Sequence, residues 1–189
     1  EDLIKIVLDS DPASLLIPAH IWTPWFAMFG SKSGFDSIKA AFGQYADEIK
    51  AIETGLSSDP FMNWRLSELD DVTLVSNSDA HSPRKLGREA NIIATDLDYY
   101  QIVDAIKTGD ERFVGTIEFF PQEGKYYWDG HRKCDVSFSP EETKQHNGIC
   151  PECGKPLVLG VDYRVDQLAD RPPDYKPKNH KEVEYIIPL

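Results

Sequence analysis

Two apolar stretches of this chain each end in side chains suited to hold a metal: Leu15-Leu16-Ile17-Pro18-Ala19-His20, and Val72-Thr73-Leu74-Val75-Ser76-Asn77-Ser78-Asp79-Ala80-His81. Short buried strands that deliver His, Asp and His just past their carboxyl ends are the arrangement of an α/β barrel, whose active site is built from the loops at that face. Imidazole nitrogens and a carboxylate there point to hydrolysis assisted by a divalent metal, in which bound water is acidified and a substrate oxygen polarised. Taken singly, His20 reads as a core histidine and Asp79 as a turn residue. The Asp-x-His pair beside a turn, joined by a strand-terminal His, favours a metal site. Ser78 and Ser82 flank that pair as turn hydroxyls, since no Ser-His-Asp arrangement accompanies them. Glu53 ends another apolar run, placed to orient a water or a ligand histidine, or simply to be capped.

A second set of ligands follows Pro121. All three cysteines lie there, in His131-Arg132-Lys133-Cys134 and Cys150-Pro151-Glu152-Cys153-Gly154-Lys155. Cys-x-x-Cys followed by Gly-Lys is a turn whose backbone amides close around a metal-bound thiolate pair, and His131-x-x-Cys134 supplies the other two ligands of a tetrahedral zinc. A redox Cys-x-x-Cys normally opens a helix, whereas this one sits in a Pro/Gly turn. An odd number of cysteines and the lack of a secretory signal disfavour a disulfide framework. His146 is the alternative fourth ligand, but two x-x knuckles make the more symmetric ribbon.

The elements that must position these groups alternate. Apolar spacing predicts a helix over 1–9, a strand ending at His20, a helix over 35–42 and a strand over 49–54. Asp59-Pro60 caps a helix running to about Leu69, and a strand covers 72–76. A further strand over 90–94, a helix over 97–107 stopped by Gly109, and a strand over 112–120 complete the first segment. Repeated β-then-α order implies parallel pairing. Four or five strands cannot close a barrel of eight.

The formal charge of −12 on 189 residues argues, taken alone, against a nucleic-acid binder. The acid excess is concentrated early: residues 1–120 carry 10 basic and 20 acidic side chains, 121–170 carry 6 and 9, and 171–189 carry 4 and 3. Arg84, Lys85 and Arg88 lie close to His81, where a backbone phosphate would arrive. Trp22, Trp25, Phe26 and Phe29 crowd the loop after His20; such aromatics build a core or, as Trp25 is placed, offer a ring to a base. No apolar run approaches the roughly 18 to 20 residues that span a bilayer, and no signal peptide precedes Glu1, so the expectation is a soluble, cytoplasmic protein without a membrane partner.

Taken together, Ile17-Pro18-Ala19-His20 with Thr23-Pro24-Trp25-Phe26, Ser76-Asn77-Ser78-Asp79-Ala80-His81-Ser82-Pro83, Leu86-Gly87-Arg88-Glu89-Ala90-Asn91, and Thr116-Ile117-Glu118-Phe119-Phe120-Pro121 running into the His-x-x-Cys ribbon resemble endonuclease Q. That family is a branch of the polymerase and histidinol phosphatase (PHP) superfamily, and the resemblance spans nearly the whole chain. It implies an α/β fold, the C-terminal half of a PHP-type distorted β/α barrel (1–121) followed by a small zinc-ribbon module (122–170) and a linker (171–189) toward a further C-terminal domain. It also implies a metal-dependent DNA-repair endonuclease that cuts 5′ of deaminated bases (uracil, hypoxanthine) or at abasic sites. On this resemblance His20, Asp79 and His81 are late ligands of a divalent cluster of Zn2+, Mn2+ or Mg2+, and His131, Cys134, Cys150 and Cys153 hold a structural Zn2+. The catalytic residues are then Asp79, His81 and His20; the DNA contacts expected from position alone are Arg84, Lys85, Arg88 and Trp25, which otherwise read as a solvated turn and a core aromatic.

One departure is informative. PHP enzymes also use a His-x-His motif from the first half of the barrel, whereas the only histidines here are 20, 81, 131, 146 and 180. The expectation is an internal fragment whose partner is the missing N-terminal half of the barrel, and which is inactive alone. Two other classes share part of this evidence: a small-molecule PHP phosphoesterase, for which a ribbon has no obvious use, and a noncatalytic zinc-stabilised binding fragment.

Overall fold

The computed structural model describes residues 2–187; Glu1, Pro188 and Leu189, which the expected first helix and the expected linker include, lie outside the described residues. Helix α1 (Asp2–Ser10) opens the chain, and α2 (Ile38–Phe42) starts at Ser37, whose side chain accepts from the Ala40 amide. Strand β1 (Ala51–Glu53) is buried throughout. It pairs in parallel with β2 (Thr73–Val75), in the register Ala51↔Thr73 to Glu53↔Val75.

The run before His20 is not a strand. Residues 14–18 have no regular structure: Glu53 N donates to the Pro18 carbonyl at 3.0 Å, but Pro18 has no N–H to return and no ladder forms. The helix expected from Pro60 to Leu69 is also short: α3 (Pro60–Asn63) has Asp59 as its cap and then ends. Asn63 is drawn into the core instead. Its Oδ1 accepts from Trp22 Nε1 at 2.8 Å while its Nδ2 donates to Ser58 Oγ and the Asp59 carbonyl, a buried set of bonds that outweighs helical continuation.

A second sheet contains β3 (Ala90–Ile93), β4 (Phe113–Glu118) and a strand from the chain's last segment, β7 (Glu182–Tyr185). Between β3 and β4 lies α4 (Tyr99–Thr108), capped by Asp98 and stopped by Gly109 in the left-handed region. Pairing is not uniformly parallel: β3 runs antiparallel to β4, which corrects the expectation from element order, while β4 and β7 are parallel. The segment expected to be a linker therefore contributes an edge strand, and Tyr185 donates its hydroxyl to Asp59 at 2.5 Å. The Asn91 side-chain amide splices the two sheets. It accepts from Ser76 N at 2.8 Å and donates to the Ser76 carbonyl at 2.9 Å, the two bonds a neighbouring peptide would make.

After Pro121, β5 (Asp129–His131) and β6 (Val136–Phe138) form an antiparallel hairpin, α5 (Pro140–Gln145) begins with a capping box from Ser139 and Glu142, and α6 (Val161–Leu168) follows. Val161 and Val165 of α6 are fully buried in the same cluster as Ile21, Trp22, Phe29 and Ile52. One core thus crosses the boundary expected at residue 121. No helix among the described residues is long and apolar enough to cross a membrane.

Candidate functional site

The ribbon brings four donors together. One ligand atom each of His131, Cys134, Cys150 and Cys153 lies within 4.8 Å of all the others, and the three thiols are free of disulfides. His131 Nδ1 is 3.2 Å from Cys134 Sγ and 3.3 Å from Cys153 Sγ, close to the roughly 3.5 Å edge that a tetrahedral zinc imposes on N and S ligands. Local structure explains the convergence. His131 ends β5, a single 3-10 turn carries Cys134, and Asp135 in the left-handed region returns the chain into β6. In the second knuckle Cys150 N donates to the Lys155 carbonyl at 2.8 Å and Gly154 N to the Cys150 carbonyl at 2.9 Å; Gly154 has φ +70°, a conformation glycine adopts without a steric penalty. The Lys155 backbone amide beside Cys153 holds that thiol below the usual range, whereas Cys153 itself pushes the Cys134 thiol up to about 11. Three crowded thiols do not share charge easily without a cation, and this donor set suits zinc. His146 is not among the four. Its ring stacks on Phe138 at 4.8 Å.

At the strand ends the arrangement is looser. Glu53 is buried and joins the loop at His20 to the loop at Asn77: its Oε2 accepts from the His20 backbone N at 2.6 Å and its Oε1 from Asn77 Nδ2 at 2.9 Å. His20 (φ +31°) and Asp79 (φ +45°) both occupy the left-handed region, which costs a non-glycine residue of order 1–3 kcal/mol and recurs where geometry serves function. Gly55 makes room for the first of them, since a Cβ there would meet His20 Cβ at 2.8 Å. Asp79 and His81 adjoin, with Nδ1 of His81 2.8 Å from the Asp79 carbonyl oxygen and 3.9 Å from its Oδ1. Their side chains are mostly open to solvent. His20, Asp79 and His81 do not close on one point: among the described residues, the ribbon is the sole group of three or more metal-type ligands within reach of one ion.

The other expected contacts divide. Arg84 and Lys85 sit on an exposed 3-10 turn and make no ion pair among the described residues, whereas Arg88 Nε is committed to the Ser78 carbonyl at 2.8 Å and so braces the Asp79 loop. Trp22 and Phe29 are core, their rings 4.9 Å apart; Trp25 and Phe26 face solvent.

No family profile matches the chain. Among curated proteins it is 37% identical over 173 residues to the uncharacterized protein MJ0043 of Methanocaldococcus jannaschii, covering 83% of this chain and 21% of that protein. It is 33% identical over 166 residues to the uncharacterized protein YqxK of Bacillus subtilis, covering 85% of this chain and 40% of that one. Among solved structures it matches endonuclease Q in complex with a 27-mer duplex substrate carrying an abasic lesion at the active site, with TM-score 0.78, 30% identity, and 92% of this chain against 43% of that chain. It also matches the lesion-specific endonuclease PfuEndoQ of Pyrococcus furiosus, with TM-score 0.79, 30% identity, and 98% against 44%. Over nearly its whole length the chain is similar to part of these endonucleases. It spans between about a fifth and under half of the lengths of these relatives.

Two carboxylates that sequence analysis quoted only within longer motifs, with no role of their own, lie buried beside these loops. Glu118, at the carboxyl end of β4, has no exposed surface; its Oε2 accepts from Ser76 Oγ at 3.2 Å and Thr54 Oγ1 at 3.4 Å, while Oε1 has no partner among the described residues. Desolvation pushes its pKa up to about 7. Glu89 is 3% exposed, also with one oxygen unpartnered among the described residues, and desolvation followed by the charge of Glu118 pushes it to about 8. The one available signal was position, a glutamate closing an otherwise apolar strand on the face of Thr116.

Proposed function

We propose that this chain is part of a metal-dependent DNA-repair endonuclease that hydrolyses the phosphodiester 5′ of deaminated bases, uracil or hypoxanthine, or at abasic sites. The observation carrying this reading is the match to endonuclease Q over 92–98% of the chain at 30% identity, in a protein that also assembles the four-ligand ribbon. His20, Asp79 and His81 offer the nitrogen and carboxylate donors that a hydrolytic cation takes, but as placed they form no complete shell, and the chain contributes part of one. What its own residues do is organise the approach. Glu53 fixes the His20 loop against the Asn77 loop, Arg88 braces Ser78, and Arg84 and Lys85 present positive charge where a strand phosphate would pass. Trp25, exposed beside His20, gives the aromatic contact for a displaced base. The test is incubation of the full-length protein with uracil-containing duplex and Mn2+ or Mg2+, beside a panel of phosphomonoesters. Incision 5′ of the uracil is expected; turnover of phosphomonoesters alone would replace this reading by that of a small-molecule phosphoesterase.

The separation of His20, Asp79 and His81 favours a second reading for the 189 residues in isolation, namely a zinc-stabilised module that binds DNA without cutting it. Mobility shift and incision assays on the same sample distinguish the two.

A further inference from the structure

Three strands end at one carboxyl. Glu118 closes β4, and its Oε2 accepts from Thr54 Oγ1 at 3.4 Å, one residue past β1, and from Ser76 Oγ at 3.2 Å, one residue past β2. Each hydroxyl stands directly behind a loop that carries an expected ligand. Thr54 lies between Glu53, which accepts from the His20 backbone N, and Gly55, which leaves room for His20. Ser76 leads into Asn77, which donates to Glu53, and on to Asp79. Moving the Glu118 carboxyl therefore moves both loops.

The bonds around it are those of a neutral acid. An ionised carboxylate draws hydroxyls to about 2.5–2.7 Å. Neither hydroxyl is so close, Oε1 has no partner, and no ion pair reaches Glu118 among the described residues. Both hydroxyls also reach main-chain carbonyls, Thr54 Oγ1 that of Val75 at 3.3 Å and Ser76 Oγ that of Ile117 at 3.2 Å, so their protons are divided. The titratable groups that act on or from Glu118 are Asp59 at the cap of α3, Glu89 just before β3, and Tyr185 of β7, whose hydroxyl donates to Asp59. The charge of Arg88 acts on Glu89, and its Nε is taken by the Ser78 carbonyl. An unpaired charge among acids and a phenol is strongly disfavoured, so Oε1 keeps the proton, in line with the rise to about 7 that desolvation imposes.

We propose that Glu118 is a positioning residue, a carboxyl that ties Thr54 to Ser76 and so sets the spacing of the His20 and Asp79 loops. The proposal rests on the endonuclease reading above and adds a pH dependence to that site. Ionisation puts an unpaired charge beside Glu89 and Asp59, and the carboxylate then competes with the Val75 and Ile117 carbonyls for both hydroxyl protons. The loops hold their spacing while the proton stays, and lose it as pH rises through about 7.

The experiment compares the full-length protein with its Glu118→Gln and Glu118→Ala variants. Glutamine keeps an acceptor oxygen and cannot ionise, whereas alanine removes the tie. Incision of uracil-containing duplex and the dissociation constant of Mn2+ alone are measured at about pH 6, 7 and 8.5. Glu118→Gln should match the parent within about twofold at the lowest pH and exceed it about tenfold at the highest, in kcat and in Mn2+ affinity, with KM for DNA nearly unchanged. Glu118→Ala should fall about tenfold below the parent at the lowest pH in both readouts. Circular dichroism at each pH verifies folding, because a purely structural role would leave the ratio of glutamine variant to parent flat among folded proteins. Glu118→Gln keeps the test open if Glu118→Ala does not fold. A ratio that does not change with pH, or a glutamine variant as impaired as the alanine one, would overturn the positioning role and leave the endonuclease reading intact if the parent incises. If the parent does not incise, that reading falls, and the Mn2+ titrations alone decide for or against the tie.

Discussion

Asp79 is held in a strained conformation with its side chain largely in water, an arrangement that favours ligand duty over packing. Replacing it with Asn keeps the shape and removes the anionic donor. In the full-length protein, Asp79→Asn should lower incision by roughly two orders of magnitude or more while DNA binding survives, as measured by nicking and mobility shift on the same preparation. Glu118 makes a different prediction. Burial raises its pKa to about 7 from an ordinary 4.5, so the folded state keeps a proton that the unfolded chain has lost. Its contribution to stability is greatest near and below pH 4.5 and declines as pH rises toward about 7. Between pH 6 and pH 8.5 the chain should lose on the order of 1 kcal/mol from this group, and Glu118→Gln, which mimics the protonated acid, should flatten that slope in denaturant unfolding.

Among the elements, the Asn91 amide and the zinc knuckles do work that strands and helices usually share. Asn91→Ala would strand the buried Ser76 N–H and carbonyl at the seam between sheets, at a cost of about 1–3 kcal/mol read by thermal or denaturant unfolding. In the ribbon, strands of three residues and a six-residue helix cannot stand alone, so a zinc on the four donors would supply folding energy there. Chelation should raise amide exchange first in residues 129–158. The core-bound helix α6 should stay protected longer, because Val161 and Val165 are anchored by Trp22 and Ile52 rather than by the ion. Elemental analysis finding no zinc in the purified chain would reject the site.

For the molecule as a whole, apolar surface remains open. Leu3 and Ile6 of α1 are 68% and 62% exposed, and Leu97 with Tyr100 makes a second apolar area before and within α4. Such surface rarely stays bare in solution. The isolated 189 residues are therefore expected to self-associate with rising concentration in light scattering, and to show no metal-dependent incision of uracil-containing DNA. Robust nicking by the chain alone, lost on His81→Ala, would show that the three strand-end ligands suffice.

The four ribbon ligands were legible in the sequence because each knuckle is local: two intervening residues and a left-handed turn residue, Asp135 or Gly154, determine where the donors point. The helix cap at Asp59 and the stop at Gly109 were legible for the same reason, being decided within one turn of chain, whereas the cap at Asp98 was not singled out. The expected ligands His20, Asp79 and His81 were singled out as residues, yet their spacing in three dimensions was not readable, since it depends on Glu53 and Asn77 meeting across 24 positions. Nor could the antiparallel β3, the return of 182–185 into the sheet or the buried Glu89 and Glu118 be read from local pattern. Pairing partners and burial are set by long-range contacts, and only the folded chain decides which glutamate meets water and which meets the core.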